Sequence, residues 1–171
     1  MLTYIADAAH YSEVIARIPK VQHTLWLGTA DIKDLYVAGA GGRAIPLLDE
    51  LSSCVNRGVA LRLIHAKEPG PNFRADFDRF PNLVDGLERA LCPRVHFKLI
   101  ILDLALAYIG SANLTGAGIG MKGDTRRNFE AGILTDEPHL VRAAIEQYDA
   151  VWRGDHCTGC GRRAYCPDPI A

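Results

Sequence analysis

The chain has 171 residues, 49% of them hydrophobic, with 19 basic against 20 acidic side chains and a formal net charge of −1. This length and apolar content can bury one good core and leave little for a second, so one domain with a short appendage is expected. The balanced charge excludes a global basic field that gathers nucleic acid, so any polyanion must be held by a local patch. The longest apolar run, residues 99–109, is interrupted by Asp103, so no stable membrane insertion is expected. The N-terminal residues carry acids and lack a basic start before a smooth apolar run, unlike a secretory signal, and a cytoplasmic location is expected.

Taken in order, Ser12 is placed to cap a short helix whose apolar stripe is Val14, Ile15 and Ile18, stopped by Pro19. Residues 21–28 alternate as a strand, with Val21, His23, Leu25 and Leu27 on one face and Gln22, Thr24 and Trp26 on the other. The glycine-rich residues 38–43 lead through Pro46 into a helix carrying Leu47, Leu48, Leu51 and Val55, which Gly58 can end. That loop lacks the Lys-Ser/Thr ending of a nucleotide loop, so flexibility is its expected property, with Arg43 as one cation on the rim of a polyanion site. Residues 59–65 form the next strand and end in His65-x-Lys67. The following Glu68-Pro69-Gly70-Pro71-Asn72 is a loop with no carboxylate at the right spacing, so these two residues do not open a second copy of the motif described below. Phe73, Phe77 and Phe80 share a helix face that Pro81 ends, and a second short helix through Leu83, Leu87 and Leu91 delivers the chain to Pro93.

Residues 95–115, VHFKLIILDLALAYIGSANLT, read as a hairpin. Side chains alternate along a strand, so His96 and Lys98 share a face, and the returning strand brings Ser111 and Asn113 back to the same end. Residues 116–127 are glycine-rich and locally basic through Lys122, Arg126 and Arg127. They are either a solvated loop or a clamp for backbone phosphates. Glu130 opens a further strand; Asp136 then caps, and Pro138 begins, a helix with Leu140, Val141, Ala144, Ile145, Tyr148, Val151 and Trp152 on one broad stripe, ended by Gly154.

The pattern His96-x-Lys98-x4-Asp103 followed by Gly110-Ser111-x-Asn113, with Glu130 downstream, resembles the phospholipase D superfamily across residues 20–153. The resemblance implies an α/β fold, a mixed β-sheet flanked by helices, over residues 1–154. It also implies metal-independent phosphodiester chemistry, most simply an endonuclease cutting DNA or RNA. In this scheme His96 is the nucleophile and forms a phosphohistidine; Lys98, Ser111 and Asn113 steady the phosphoryl oxygens; Glu130 orients the imidazole, and Asp103 holds the turn. One histidine cannot stand on both sides of phosphorus, so the resemblance further implies a homodimer with a shared active site. A glycine-rich interval between Asn113 and Glu130 is longer than in compact single-motif members. Two other functions compete: a lipid phosphodiesterase or phosphatidyl transferase, and a nonenzymatic nucleic-acid-binding module.

Residues 155–171 form a Cys-rich tail, His156-Cys157-Thr158-Gly159-Cys160 with Cys166 following. Two thiols in a CxxC turn, a third cysteine and a histidine can complete a tetrahedral structural zinc, or less readily an iron–sulfur centre. His139, His65 and Cys92 are other candidates for the fourth position. Cys54 and Cys92 otherwise read as buried thiols. No cofactor is expected for catalysis itself.

Overall fold

The computed structural model of the chain describes residues 1–33, 35–39 and 42–170; Ala40 and Gly41 of the glycine-rich loop lie outside the described residues. Its frame is a seven-stranded mixed sheet of β1 (Leu2–Ala6), β2 (Thr24–Thr29), β5 (Ala60–His65), β6 (Leu87–Leu91), β7 (Lys98–Leu102), β8 (Leu106–Gly110) and β9 (Ala131–Thr135), in the order β1-β9-β8-β7-β2-β5-β6. The β1-to-β2 half of that order is antiparallel, whereas β2, β5 and β6 run parallel. Parallel neighbours need crossovers, supplied by α1 (Leu47–Asn56) and by the short α2 (Pro71–Phe77) and α3 (Asn82–Gly86). A separate two-stranded ribbon, β3 (Tyr36–Ala38) with β4 (Ala44–Pro46), carries the glycine-rich loop at its tip.

Alternation along the strands feeds two apolar layers. Leu25, Leu27, Ile100, Leu102 and Tyr108 face α1 and the N-terminal helical turns. Trp26, Leu99, Ile101 and Ala107 face the long α4 (Pro138–Trp152), whose Val141, Ala144 and Tyr148 are buried. The result is the expected α/β arrangement, a mixed sheet flanked by helices. Arg62 threads the α4 face: its guanidinium lies 4.9 Å from the rings of both Trp26 and Trp152 and pairs with Glu88 and Asp149.

Several local expectations are corrected. Residues 10–20 form a π turn followed by a 3₁₀ turn, without a cap from Ser12, although Val14, Ile15 and Ile18 are buried as expected. Leu87 and Leu91 belong to edge strand β6, because the helix stops at Gly86, where a Cβ would stand 2.4 Å from Val55. Strand β2 begins at Thr24, since the amides of residues 22–24 are taken by the Asp103 carboxylate. The carboxylate of Asp136 engages the N-terminal amine and leaves α4 without a side-chain cap. Strand β1 carried no readable signal, since Leu2 and Tyr4 are exposed and Ile5 alone is buried; the open edge of β9 recruits it. No helix among the described residues is long and apolar enough to cross a membrane.

Candidate active site

The strand registers bring all the motif residues but Asp103 to one end of the central strands. Lys98 pairs with Gly110, Gly110 with Gly132, Leu99 with Gly28, and Thr29 with His65, so the ends of β2, β5 and β8 meet the starts of β7 and β9 there. Two glycines in this corner are sterically required. A Cβ on Gly110 would lie 2.2 Å from the Tyr108 hydroxyl, and one on Gly28 would lie 2.4 Å from the Phe97 ring. Phe97 in turn leans toward Tyr148 of α4, with ring centroids 6.2 Å apart, so the residue between His96 and Lys98 anchors the pair to the core.

His96 is exposed and stands between the buried Val95 and the buried Lys98. The Lys98 ammonium donates to the His96 carbonyl at 2.7 Å and lies 3.4 Å from His96 Nδ1. Lys98 is 7% exposed and, among the described residues, has no carboxylate within ion-pair distance. Burial pulls its pKa below the ordinary lysine value, and the charge of Glu130 opposes that pull.

Glu130 is held from two sides. The Ser111 hydroxyl makes a short hydrogen bond to Oε2, and Asn128 Nδ2 donates to Oε1 at 2.9 Å. The backbone N–H of Glu130 donates to Asp7 Oδ1 at 3.2 Å, and the Asp7 N–H returns a bond to the Glu130 carbonyl. Its carboxylate contacts are therefore Ser111 and Asn128; none joins it to His96. Asn113 is fixed through its carbonyl oxygen: Oδ1 accepts from the Asp31 N–H at 3.2 Å and lies 3.2 Å from the hydroxyl of the fully buried Thr29. The Thr29 hydroxyl also donates to the Asp31 carbonyl at 2.8 Å and accepts from Leu114 N–H at 3.2 Å. With the oxygen occupied, the Asn113 amide nitrogen is the end left to meet an anionic oxygen.

Asp103 sits at the other end of β7, five residues and about 16 Å of strand from Lys98. Its carboxylate accepts from the backbone N–H groups of His23 at 2.7 Å and of Gln22 and Thr24 at 3.0 Å. Burial pushes its pKa up, but the donors of Thr24, Gln22 and His23 outweigh it and leave the carboxyl below its ordinary value. Asp103 and Leu104 both have positive φ, 51° and 54°, which makes the tight return into β8.

Of the cations expected on the rim, Lys122 and Arg126 are exposed, whereas Arg127 is engaged with Asp124 at 2.5 Å. Only the first part of the 116–127 stretch is packed: Ile119 is buried, and Gly120, at φ +78°, lies so close to Ala8 that a Cβ would stand 2.6 Å from its Cα, whereas residues 121–126 are exposed. Arg43 is exposed on the β3–β4 ribbon, and among the described residues no hydrogen bond or ion pair ties it to the His96 cluster.

The tail expectation is corrected. Among the described residues no three His, Cys, Asp or Glu side chains form a group able to hold a metal ion, so His156, Cys157, Cys160 and Cys166 are not assembled into a zinc or iron–sulfur centre. The thiols are spent singly: Cys166 is 3.9 Å from the Leu91 carbonyl, and Cys160 lies 3.8 Å from an Arg94 nitrogen. Cys54 is buried as expected, but Cys92 is only half-buried and lines a cavity under the tail.

Sequence reasoning missed Thr29, Asp31 and Asp7, which hold Asn113 and Glu130 in place. The one readable hint was Thr29 itself, a polar residue continuing the apolar end of a strand.

This fold, with His96, Lys98, Ser111, Asn113 and Glu130 gathered at one end of its central strands, defines a phospholipase D-like domain. A family model described as "Cardiolipin synthase, PLD-like domain" matches residues 14–152, so the chain belongs to the phospholipase D superfamily of phosphodiesterases. Among solved structures it is similar to Nuc from Salmonella typhimurium, a phospholipase D family member, at 18% identity and a TM-score of 0.62, covering 89% of this chain and 93% of that one. NucT from Helicobacter pylori gives 14% identity and 0.61, covering 87% and 94%. Phosphatidylserine synthase from Haemophilus influenzae Rd KW20 gives 16% identity and 0.58, covering 89% of this chain but 38% of that one. No curated protein matches the sequence.

Proposed function

We propose that the protein is a metal-independent phosphodiesterase that cuts a nucleic-acid backbone at a site shared between two copies of the chain. The observation that carries this reading is the pairing of an exposed imidazole with a buried lysine that lies 3.4 Å from Nδ1 and, among the described residues, has no carboxylate within ion-pair distance. A buried lone cation is costly unless an anion arrives, and a phosphoryl group is such an anion.

In the proposed reaction His96 Nε2 attacks phosphorus and forms an N–P bond as the P–O bond to the leaving group breaks. Lys98 and the Asn113 amide hold the non-bridging oxygens, while Ser111 fixes Glu130, whose charge steadies the positive charge that develops on the ring. His96 of the partner subunit protonates the leaving alkoxide. It then takes a proton from water, which attacks phosphorus and restores the first imidazole. Exposure of His96 at the end of the central strands suits approach of a second copy, and a twofold axis would pair each His96 with its equivalent.

A nucleic acid is the favoured substrate because the exposed Arg94 and Arg162 line one cavity with His96, within reach of a polymer, and because the likeness to Nuc and NucT spans nearly the whole of both chains. A second reading, phosphatidyl transfer or lipid hydrolysis, draws on the description of the family model and on an apolar cavity of about 240 Å³ beside Val95 and Phe97.

The test is cleavage of labelled single- and double-stranded DNA, single-stranded RNA and phospholipid vesicles, each with and without chelator, beside His96→Asn. The expected result is nucleic-acid cleavage that survives chelation and falls by at least about 10³-fold in the variant. Turnover of lipid alone would establish the second reading. Activity retained by His96→Asn would remove the nucleophile assignment.

A further inference from the structure

The C-terminal tail lies outside the matched family region, yet it reaches the site. Pro93, Arg94, Val95, His96 and Arg162 line one cavity of about 320 Å³, so a tail arginine and the residue two before Lys98's neighbour His96 share its wall with the imidazole. Arg162 docks the tail there by donating to the Pro93 carbonyl at 3.1 Å, and Arg94 donates back to the tail at the His156 carbonyl, 3.5 Å away. Among the described residues neither guanidinium pairs with a carboxylate, whereas Arg62, Arg89 and Arg127 are each matched by an acid. A guanidinium has five N–H donors, and a backbone carbonyl occupies only one or two of them.

We propose that Arg94 and Arg162 form an anion subsite that holds the phosphate next to the scissile one on a polynucleotide. This rests on the phosphodiesterase reading of His96. The planar donor fork of arginine suits a phosphate, and two such forks on one cavity wall beside the nucleophile would set the register of the strand. The subsite also explains how a chain with no net positive charge can hold a polyanion: the cations are concentrated where the backbone must lie. The tail is then part of the substrate site, held against the entry to β7 by reciprocal arginine-to-carbonyl bonds.

The experiment measures binding and turnover separately. Fluorescence anisotropy with a single-stranded oligonucleotide, in a His96→Asn background, compares that protein with its Arg94→Ala/Arg162→Ala derivative across a salt series. The expected result is an approximately tenfold weaker Kd and a slope of log K against log salt smaller by about one, as for loss of one phosphate contact. An unchanged Kd and slope would overturn the subsite, whether or not the wild-type protein cuts anything. In the active protein the double variant should raise KM for the oligonucleotide far more than it lowers kcat. Bis(p-nitrophenyl) phosphate, which has no neighbouring phosphate, should be at least fivefold less affected. Equal losses on both substrates would show that the arginines merely support His96 and would also overturn the subsite. Arg94→Lys/Arg162→Lys should recover part of the affinity by restoring charge without the fork. Arg163→Ala, whose guanidinium bonds the Ile170 carbonyl in the same tail, controls for loosening of the tail. If that variant reproduced the whole effect, the proposal would fail.

Discussion

The two ends of the β7–β8 hairpin carry letters of the same motif and are built in opposite ways. At one end Asp103 is saturated: its carboxylate collects the amides of residues 22–24 and ties the hairpin turn to the start of β2. At the other end Lys98 is buried, its hydrogen-bond partners among the described residues are the His96 carbonyl and imidazole, and His96 projects into solvent. A satisfied charge stabilises the fold, and an unsatisfied one is available to a substrate. On the proposed reaction the three-letter motif therefore mixes one architectural residue with two chemical ones, and substitutions at the two ends should separate stability from turnover.

The largest separation is expected at Lys98. Lys98→Met should lower kcat by about 10²–10³-fold, in the range of losing one donor to a developing oxyanion, while leaving Tm unchanged or raised. The sign follows from the lowered pKa. The folded state binds its proton less tightly than the unfolded chain does, so charged Lys98 is a burden at neutral pH. That burden is relieved as pH rises from the folded value toward the ordinary lysine value. The stability advantage of Lys98→Met should accordingly shrink in that alkaline window, where wild-type activity also falls as Lys98 loses its proton. Thermal melts and rate profiles over the same pH series test both; a variant that melts lower and keeps its rate would reverse the assignment.

Asp103→Ala should do the opposite, costing about 1–2 kcal/mol of stability by freeing three backbone donors while kcat of the folded protein stays within about threefold. The depressed carboxyl contributes stability above the ordinary aspartate pKa and loses it as pH falls through the lower folded value. Chemical denaturation at neutral pH should therefore show the full deficit, and the wild-type and variant curves should converge in strong acid. A variant of native stability but low kcat would move Asp103 into the site.

What could be read from sequence follows the same division. Period-two alternation and the His96, Lys98, Ser111 and Asn113 spacing are local, so β2, β5, the hairpin and the shared edge of the motif were legible. So was α4, whose apolar stripe repeats along a single helix. Strand β1 and the conversion of residues 87–91 from helix to strand depend on open sheet edges presented by distant residues, and no local pattern announces those. The tail misled for a related reason. CxxC spacing gives thiols in one turn, but whether they converge depends on where the turn docks, and here Arg94 and the Leu91 carbonyl face them instead. The partners of Glu130 were equally hidden, since Asp7 lies 123 residues away along the chain.

Thr29 offers the finest test of the contrast, because it is fully buried and ties backbone groups together as Asp103 does, yet it lies at the His96 end. Its hydroxyl joins the Asp31 carbonyl, the Leu114 amide and Asn113 Oδ1, so it decides which way the Asn113 side chain faces. Thr29→Val keeps the shape and removes the hydroxyl; the Leu114 amide then loses its partner, at a cost of about 1–3 kcal/mol. If positioning of Asn113 is the main role, kcat should also fall about tenfold with KM little changed, because an amide free to rotate holds the phosphoryl oxygens less well in the transition state than a fixed one. Thr29→Ser restores the hydroxyl and should return most of the rate. Loss of stability with kcat intact would instead make Thr29 a second Asp103, a residue that builds the edge without taking part in what happens there.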